Sequence, residues 1–523
     1  LIANPLFVAN FLFWMERGYF GIATELKPLI HTWSLSVEEQ FYVFFPLIFT
    51  LIWKKTLLLY ALLGLAIIGS LTASYVITNL HFDTAFFLLP TRAWELLIGT
   101  CAALLLRKNI PALIFSKTIN DVLSFLGLTL IVIAVMFFNN STPFPGLYAL
   151  IPASGTWLII VFSERSNYAK TFLGTPILVF LGLISYSAYL WHQPIFSFYK
   201  HSGITLSGPI LYLGLGLLSI FLGFLSWKYV EQPFRNRSYL TRSTIFKLSI
   251  GCSAIFIALG SIGYFMNGFT TRYGAEDRKL LTQFIDVTDY TQKRFDSLEL
   301  KKFSEHEKPN LLIIGDSFAK DVVNAVYENG LDTRYEISTV QINSECGNLF
   351  LDFDFTENIP KKNRARCEFL DSYESPAVRD LLGKSDEIWL ASSWKPWVVE
   401  LLPESVNNLR DTFEKPLYVF GPKNFGTVSQ KSMLDIPVDE RDTFTQVPSP
   451  DVVELNTSMK NTLPDDVFVN VLEGFCETKS GCRLFTDEGE LISYDGSHVT
   501  KVGASIYGRL IASSITCLLY TSP

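Results

Sequence analysis

An excess of basic charge is the first thing missing from this 523-residue chain. Its 50 Asp and Glu outnumber 43 Lys and Arg, a formal net charge of −7. An acidic protein has no electrostatic reason to seek DNA or RNA, so nucleic acid is excluded as a partner. Internal repeats and low-complexity segments are absent too, which leaves no ground for a repeat architecture. Cysteine is sparse at seven residues, and no second ligand cluster accompanies any of them, so no metal site is expected. There is no Met at position 1 and no signal-peptide pattern. Leu1 opens inside an apolar stretch, and the expectation is that the first helices of a longer protein lie upstream.

Charge is unevenly spread. Residues 1–271 carry 16 basic and 9 acidic residues, whereas 272–523 carry 27 and 41. The first part holds eight apolar runs near 40–53, 57–78, 85–106, 119–138, 147–162, 176–199, 208–227 and 246–266, long enough to cross a bilayer. If crossings alternate, twelve of the sixteen basic residues fall on one side: Lys54, Lys55, Arg107, Lys108, Lys117, Arg165, Lys170, Lys228, Arg235, Arg237, Arg242 and Lys247. The positive-inside rule makes that side cytoplasmic. The chain then emerges outside after Phe265, so its second half is expected in the extracytoplasmic space.

That half reads as alternating strands and helices. Asn310–Gly315, Glu387–Ala391, Leu417–Gly421 and Val467–Val471 have strand character. Helical spacing covers Phe318–Asn329 and Glu404–Thr412, and a last helix starts near Lys501. Such alternation argues for a parallel, doubly wound sheet. The expected division is a membrane domain over 1–267, a linker with some helix over 268–309 and an outer domain over 310–523. Cys346, Cys367, Cys476 and Cys482 lie where disulfides persist. Of the three possible connectivities, 346–367 with 476–482 is the closest in sequence.

Gly315-Asp-Ser317 directly follows the first outer strand. A serine on a strand-to-helix turn lies at the carboxyl edge of the sheet, where open α/β folds build their sites. The helix start supplies N–H groups for an oxyanion. Serine needs a base, and the outer half offers His306, in a charged stretch, and His498, in Asp495-Gly-Ser-His498. An Asp three residues before a His can orient the imidazole while its other nitrogen faces the serine. A strand-end turn beside an unrelated polar loop would look similar, but the pairing and order favour chemistry. Gly-Asp-Ser near the start and Asp-x-x-His near the end resemble the SGNH hydrolase family. The resemblance implies Ser317 as nucleophile, His498 as base and Asp495 as its orienting acid. That family also places a glycine and an asparagine in its oxyanion hole, in separate blocks. Gly347, in Cys346-Gly-Asn, matches the first; the Gly-x-Asn-Asp block is absent, leaving Ala391-Ser-Ser-Trp394 or Asn424 in its place.

In the membrane half, His31-Thr-Trp-Ser-Leu-Ser-Val-Glu-Glu-Gln-Phe-Tyr42 sets a histidine and two carboxylates at the mouth of a crossing. Charges at such depth are costly and usually functional, although an interfacial belt with Trp33 and Tyr42 at headgroup level is the plainer alternative. Arg92 and Glu95 share one face of the third run, and His192 lies inside the sixth. These segments, with Ile184-Ser-Tyr-Ser-Ala-Tyr-Leu-Trp-His192 and Val230-Glu-Gln-Pro-Phe-Arg235, resemble the acyltransferase 3 family over roughly 1–240. One branch of that family carries a carboxy-terminal SGNH domain. The implied fold is a polytopic helical membrane bundle, about eight helices of it present, followed by an α/β doubly wound SGNH-like domain. The implied site in the bundle comprises His31, Trp33, Ser34, Glu38, Glu39, Arg92, Glu95 and His192. The implied activity is transfer of an acyl group, most often acetyl, from cytoplasmic acyl-CoA to a hydroxyl of a surface glycan, at the bacterial inner membrane and with no bound cofactor. Two rivals are an extracytoplasmic esterase and a transporter or sensor with an outer binding domain. Polar residues in the bundle argue against the first, the Ser/Asp/His set against the second.

Overall fold

The computed structural model describes all residues except 17–25, 108–115, 140–141, 203–207, 236–239, 286, 305–307, 361–362, 365–366, 369–371, 478–480 and 522–523. Lys108, Arg237 and His306 therefore lie outside the described residues. The chain divides into two compact units, Leu1–Gly268 and Phe269–Pro523.

The first unit is helical. Its principal helices are α1 (Trp33–Ile52), α2 (Thr56–Leu80), α3 (Leu89–Arg107), α4 (Lys117–Phe137), α5 (Leu150–Phe162), α6 (Pro176–His201), α7 (Pro209–Ser226) and α8 (Arg242–Phe265). Seven spans among the described residues are long and apolar enough to cross a membrane; Pro176–His201 is the run that falls outside that set. It has the length, at 26 residues, but His192, Gln193 and Pro194 dilute its apolar character. The expected eight apolar spans are thus seven, plus one more polar helix. The bundle packs through small residues where helices approach closely. A Cβ on Gly127 of α4 would stand 2.6 Å from the Gly155 carbonyl oxygen of α5, an approach that larger side chains would prevent.

The second unit is built on a five-stranded parallel sheet. Its strands are β1 (Asn310–Gly315), β2 (Glu336–Gln341), β3 (Glu387–Ala391), β4 (Leu417–Phe420) and β5 (Phe468–Val469), in the order β2-β1-β3-β4-β5. Leu311, Leu312, Ile313 and Ile314 are all fully buried, as a strand covered on both faces requires. The covering helices include α9 (Ala275–Ile285), α10 (Val287–Leu298), α11 (Ser317–Glu328), α12 (Pro376–Lys384), α13 (Pro396–Phe413), α14 (Pro450–Thr462) and α15 (Lys501–Thr521). A small antiparallel sheet joins Thr445–Gln446, Cys476–Glu477 and Gly481–Arg483. Disulfides link Cys346 to Cys367 and Cys476 to Cys482.

Residues 268–309 differ from the expected linker. Most of the stretch folds as α9 and α10 onto the second unit, because Leu280, Leu281, Phe295 and Leu298 form an apolar face and are buried. The Thr339 hydroxyl of β2 donates to the Phe295 carbonyl at 2.9 Å, and Asp277 pairs with buried Arg441 at 2.5 Å. β2 itself carries no strong strand signal in the sequence, yet it occupies the edge beside β1.

Candidate active site

β1 ends where β3 ends, with Gly315 registered against Ala391. A Cβ on Gly315 would lie 1.8 Å from the Ala391 carbonyl oxygen, so only glycine fits this close approach. The chain then turns into α11. Asp316 caps the helix: its Oδ1 accepts from the Phe318 N–H at 2.9 Å, and its Oδ2 accepts from the Ser393 N–H at 2.9 Å. Burial pushes the Asp316 carboxyl above the usual range, while these two N–H groups and the charges of Lys423 and His498 pull it back. The cap leaves Ser317 as the first helical residue, buried but for 7 % of its surface.

His498 reaches the same edge from the loop before α15. Its Nε2 lies 2.9 Å from Ser317 Oγ, and its Nδ1 lies 2.6 Å from Asp495 Oδ2. Asp495 Oδ1 also accepts from the backbone N–H groups of Ser497 (2.8 Å) and His498 (2.7 Å). Burial raises the Asp495 carboxyl, but the hydrogen bond and charge of His498 outweigh it, and the net position is below the usual carboxylate range. Ser493 braces the loop, donating to the His498 carbonyl at 2.6 Å and accepting from Gly496 N–H at 3.1 Å. An oriented imidazole with one nitrogen on a carboxylate and the other on a serine hydroxyl can take the serine proton.

The oxyanion candidates separate. Gly347 has a positive φ of 84°, and a Cβ there would meet the Trp397 ring at 2.6 Å. Its neighbour Asn348 is almost fully buried and donates to Ser392 Oγ at 3.0 Å, while Tyr373 donates to Asn348 Oδ1 at 2.6 Å. This network, which sequence reasoning missed, ties the Gly347 segment to the end of β3 beside Ser317. Asn424 Oδ1 accepts from Gly426 N–H (3.1 Å) in its own loop and from Ser449 N–H (2.8 Å) at the start of α14. Among the described residues no hydrogen bond joins Asn424 to Ser317.

The bundle residues gather into two groups within the first unit. His31 is buried, with its ring 5.3 Å from that of His192 and 5.1 Å from that of Tyr189. Tyr189 donates to the His31 carbonyl at 2.5 Å and shares a hydrogen bond with Ser34 Oγ at 2.8 Å. In the second group Arg92 holds Glu95 through two bonds of 2.9 and 2.7 Å, and its guanidinium stands 4.9 Å from the centre of the Trp33 ring. Glu38 and Glu39 are half-buried further along α1. Tyr189 and Glu231, which accepts from Ser187 at 2.8 Å, are polar members beyond the expected set; both lie in the segments that carry the acyltransferase resemblance.

Residues 2–228 match the family described as an acyltransferase domain, and residues 287–513 match the SGNH domain found fused to such acyltransferase domains. A Staphylococcus aureus (strain COL) protein with a provisional O-acetyltransferase name is 30% identical over 251 residues, covering 45% of this chain and 41% of that one. The O-acetyltransferase OatA of Staphylococcus aureus (strain NCTC 8325) is 27% identical over 254 residues, covering 46% and 41%. The match spans about two-fifths of these relatives' length. Among solved structures, the periplasmic domain of a lipopolysaccharide acetyltransferase from Salmonella ser. Paratyphi A is similar at 15% identity and a TM-score of 0.32, covering 45% of this chain and 99% of that chain.

Proposed function

We propose, on the premise that this chain belongs to the acyltransferase 3 family and carries the SGNH domain fused to it, that it is an O-acetyltransferase acting on a cell-envelope polysaccharide. The donor is acyl-CoA on the cytoplasmic face of the bacterial inner membrane. The helical unit passes the acyl group across, and the SGNH domain works outside, an orientation supported by the twelve basic residues on one side of the spans.

The observation that carries the outer step is the hydrogen-bonded series Ser317 Oγ, His498 Nε2, His498 Nδ1 and Asp495 Oδ2, at 2.9 and 2.6 Å. Ser317 Oγ attacks the acyl carbonyl as His498 Nε2 takes the hydroxyl proton, and the leaving group departs with that proton. The resulting ester on Ser317 is then attacked by a sugar hydroxyl. His498 accepts the sugar's proton and returns it to Ser317 Oγ as the acylated glycan leaves. Asp495 fixes the ring tautomer and stabilises the imidazolium. In this reading the Ser317 and Gly347 N–H groups are the oxyanion donors. In this reading His31, His192 and Ser34, together with Trp33, Arg92, Glu95, Glu38 and Glu39, form the donor-side site of the bundle.

The test is Ser317→Ala in the full-length protein, expressed in cells whose own copy is deleted. Surface polysaccharide should lose its O-acetyl groups while the variant remains in the membrane at normal level. Undiminished acetylation would reduce the outer domain to a binding module.

A further inference from the structure

A buried charge pair stands beside the base and takes no part in the transfer chemistry. Lys423, in the loop leaving β4, is 2 % exposed, and its Nζ lies 2.8 Å from Oδ2 of the fully buried Asp321. The same ammonium stands 3.5 Å from the centre of the Phe318 ring. That ring meets His498 edge-on, at a centroid distance of 5.5 Å and 70° between planes. Asp321 lies four residues beyond Ser317 on α11, and so on the same helix face. Apolar residues of similar volume usually stabilise a core as well as a buried ion pair does. Stability alone therefore gives no reason for placing one here.

We propose that Lys423 is a positioning residue for the Ser317–His498 pair: held on Asp321 and against Phe318, it balances the carboxylates around His498 and leaves the imidazole able to accept the Ser317 proton. The proposal rests on the reading of Ser317 as nucleophile and His498 as base. His498 touches Asp495 and Tyr494 in its own loop and Ser317 and Phe318 on α11; Asp316 and Asp321 act on it through charge, and Lys423, from the loop after β4, reaches it through the Phe318 ring. Three acidic side chains and one lysine thus belong to this set. Burial pushes Asp321 above the ordinary carboxylate range, with Lys423 and then His498 pulling it down, so the set is electrostatically linked. Losing the ammonium makes the surroundings of His498 more negative and favours its protonated form. Losing the Asp321 charge acts in the opposite sense.

The experiment measures kcat/KM against pH for the full-length protein in detergent, with p-nitrophenyl acetate as the acyl probe. Lys423→Met should move the acid limb of the profile up by about one pH unit, and Asp321→Asn should move it down by a similar amount. The double variant should return the limb close to wild type, and Lys423→Arg should leave it there. A purely structural role lowers the rate evenly across pH and gives neither opposite shifts nor cancellation. Should Lys423→Met not fold, the downward shift in Asp321→Asn carries the same test. Limbs that stay put in the single variants, or a shift that persists in the double, overturn the role of Lys423. Ser317→Ala separates the two claims. It should abolish ester turnover; survival of turnover would overturn the nucleophile reading and this proposal together.

Discussion

Replacing Gly315 with alanine should disable the site while sparing most of the fold. The added Cβ would stand 1.8 Å from the Ala391 carbonyl oxygen. Carbon–oxygen contacts normally close no nearer than about 3.3 Å, so the ends of β1 and β3 would have to part by roughly 1.5 Å. The obstacle is backbone, and no flexible side chain can give way. Parting the strand ends stretches the 2.9 Å bond from Ser393 N–H to Asp316 Oδ2 and draws Ser317 away from its 2.9 Å contact with His498. Overpacking of this kind costs about 1–3 kcal/mol. A misplacement of about 1 Å at reacting groups can cost roughly 10²-fold in rate. Gly315→Ala should therefore remain folded with a lowered melting temperature and lose about 10²-fold in kcat/KM toward p-nitrophenyl acetate. Circular dichroism melting and the ester assay on one preparation measure both. Wild-type activity together with wild-type melting would refute the argument that this close approach aims the serine.

Four further outcomes are expected. Asp495→Asn should lower kcat by about 10³–10⁴-fold, since the wrong tautomer of His498 is then held. Because Asp495 sits below the usual carboxylate range, its contribution to stability is full above the ordinary Asp value and fades only as pH falls through the lower folded value. Urea midpoints of the wild-type protein, but less so of Asp495→Asn, should fall across that acid window; parallel curves would remove the linkage. Tyr373→Phe leaves Asn348 Oδ1 buried without its donor and should cost about 1–3 kcal/mol in the same titration; an unchanged midpoint would mean the network is not holding the Gly347 segment. For orientation, a cysteine at exposed Lys384 should react with an impermeant maleimide in intact cells, and one at Lys54 only after permeabilisation; the reverse pattern would invert the topology.

Local chemistry was legible in the sequence wherever one short segment contained the whole signal. Gly315-Asp-Ser317 marked a strand end and a helix start, and β1 and β3 occupy the expected residues. Asp495-Gly-Ser-His498 marked a loop whose first residue orients its last. Signals spread along the chain were harder to read. β2 mixes Ser338 and Thr339 with apolar residues between Glu336 and Gln341, so only its pairing with β1 makes it a strand. The charged surface of α9 and α10 looked like linker, because their buried face is only a few apolar residues, Leu280, Leu281, Phe295 and Leu298, among many charged ones. Asn348, Tyr373 and Ser392 meet only through tertiary folding, as do Asp321 and Lys423.

The central claim is a covalent ester on Ser317, and the most direct measurement is the mass of the peptide that carries it. Membranes containing the full-length protein would be supplied with isotopically labelled acetyl-CoA on the cytoplasmic side, quenched in acid and digested. The account predicts one labelled acetyl group on the peptide containing Ser317, abolished in Ser317→Ala and accumulating in wild type when acceptor glycan is withheld. An unlabelled Ser317 peptide from membranes that are acetylating their glycan would contradict it.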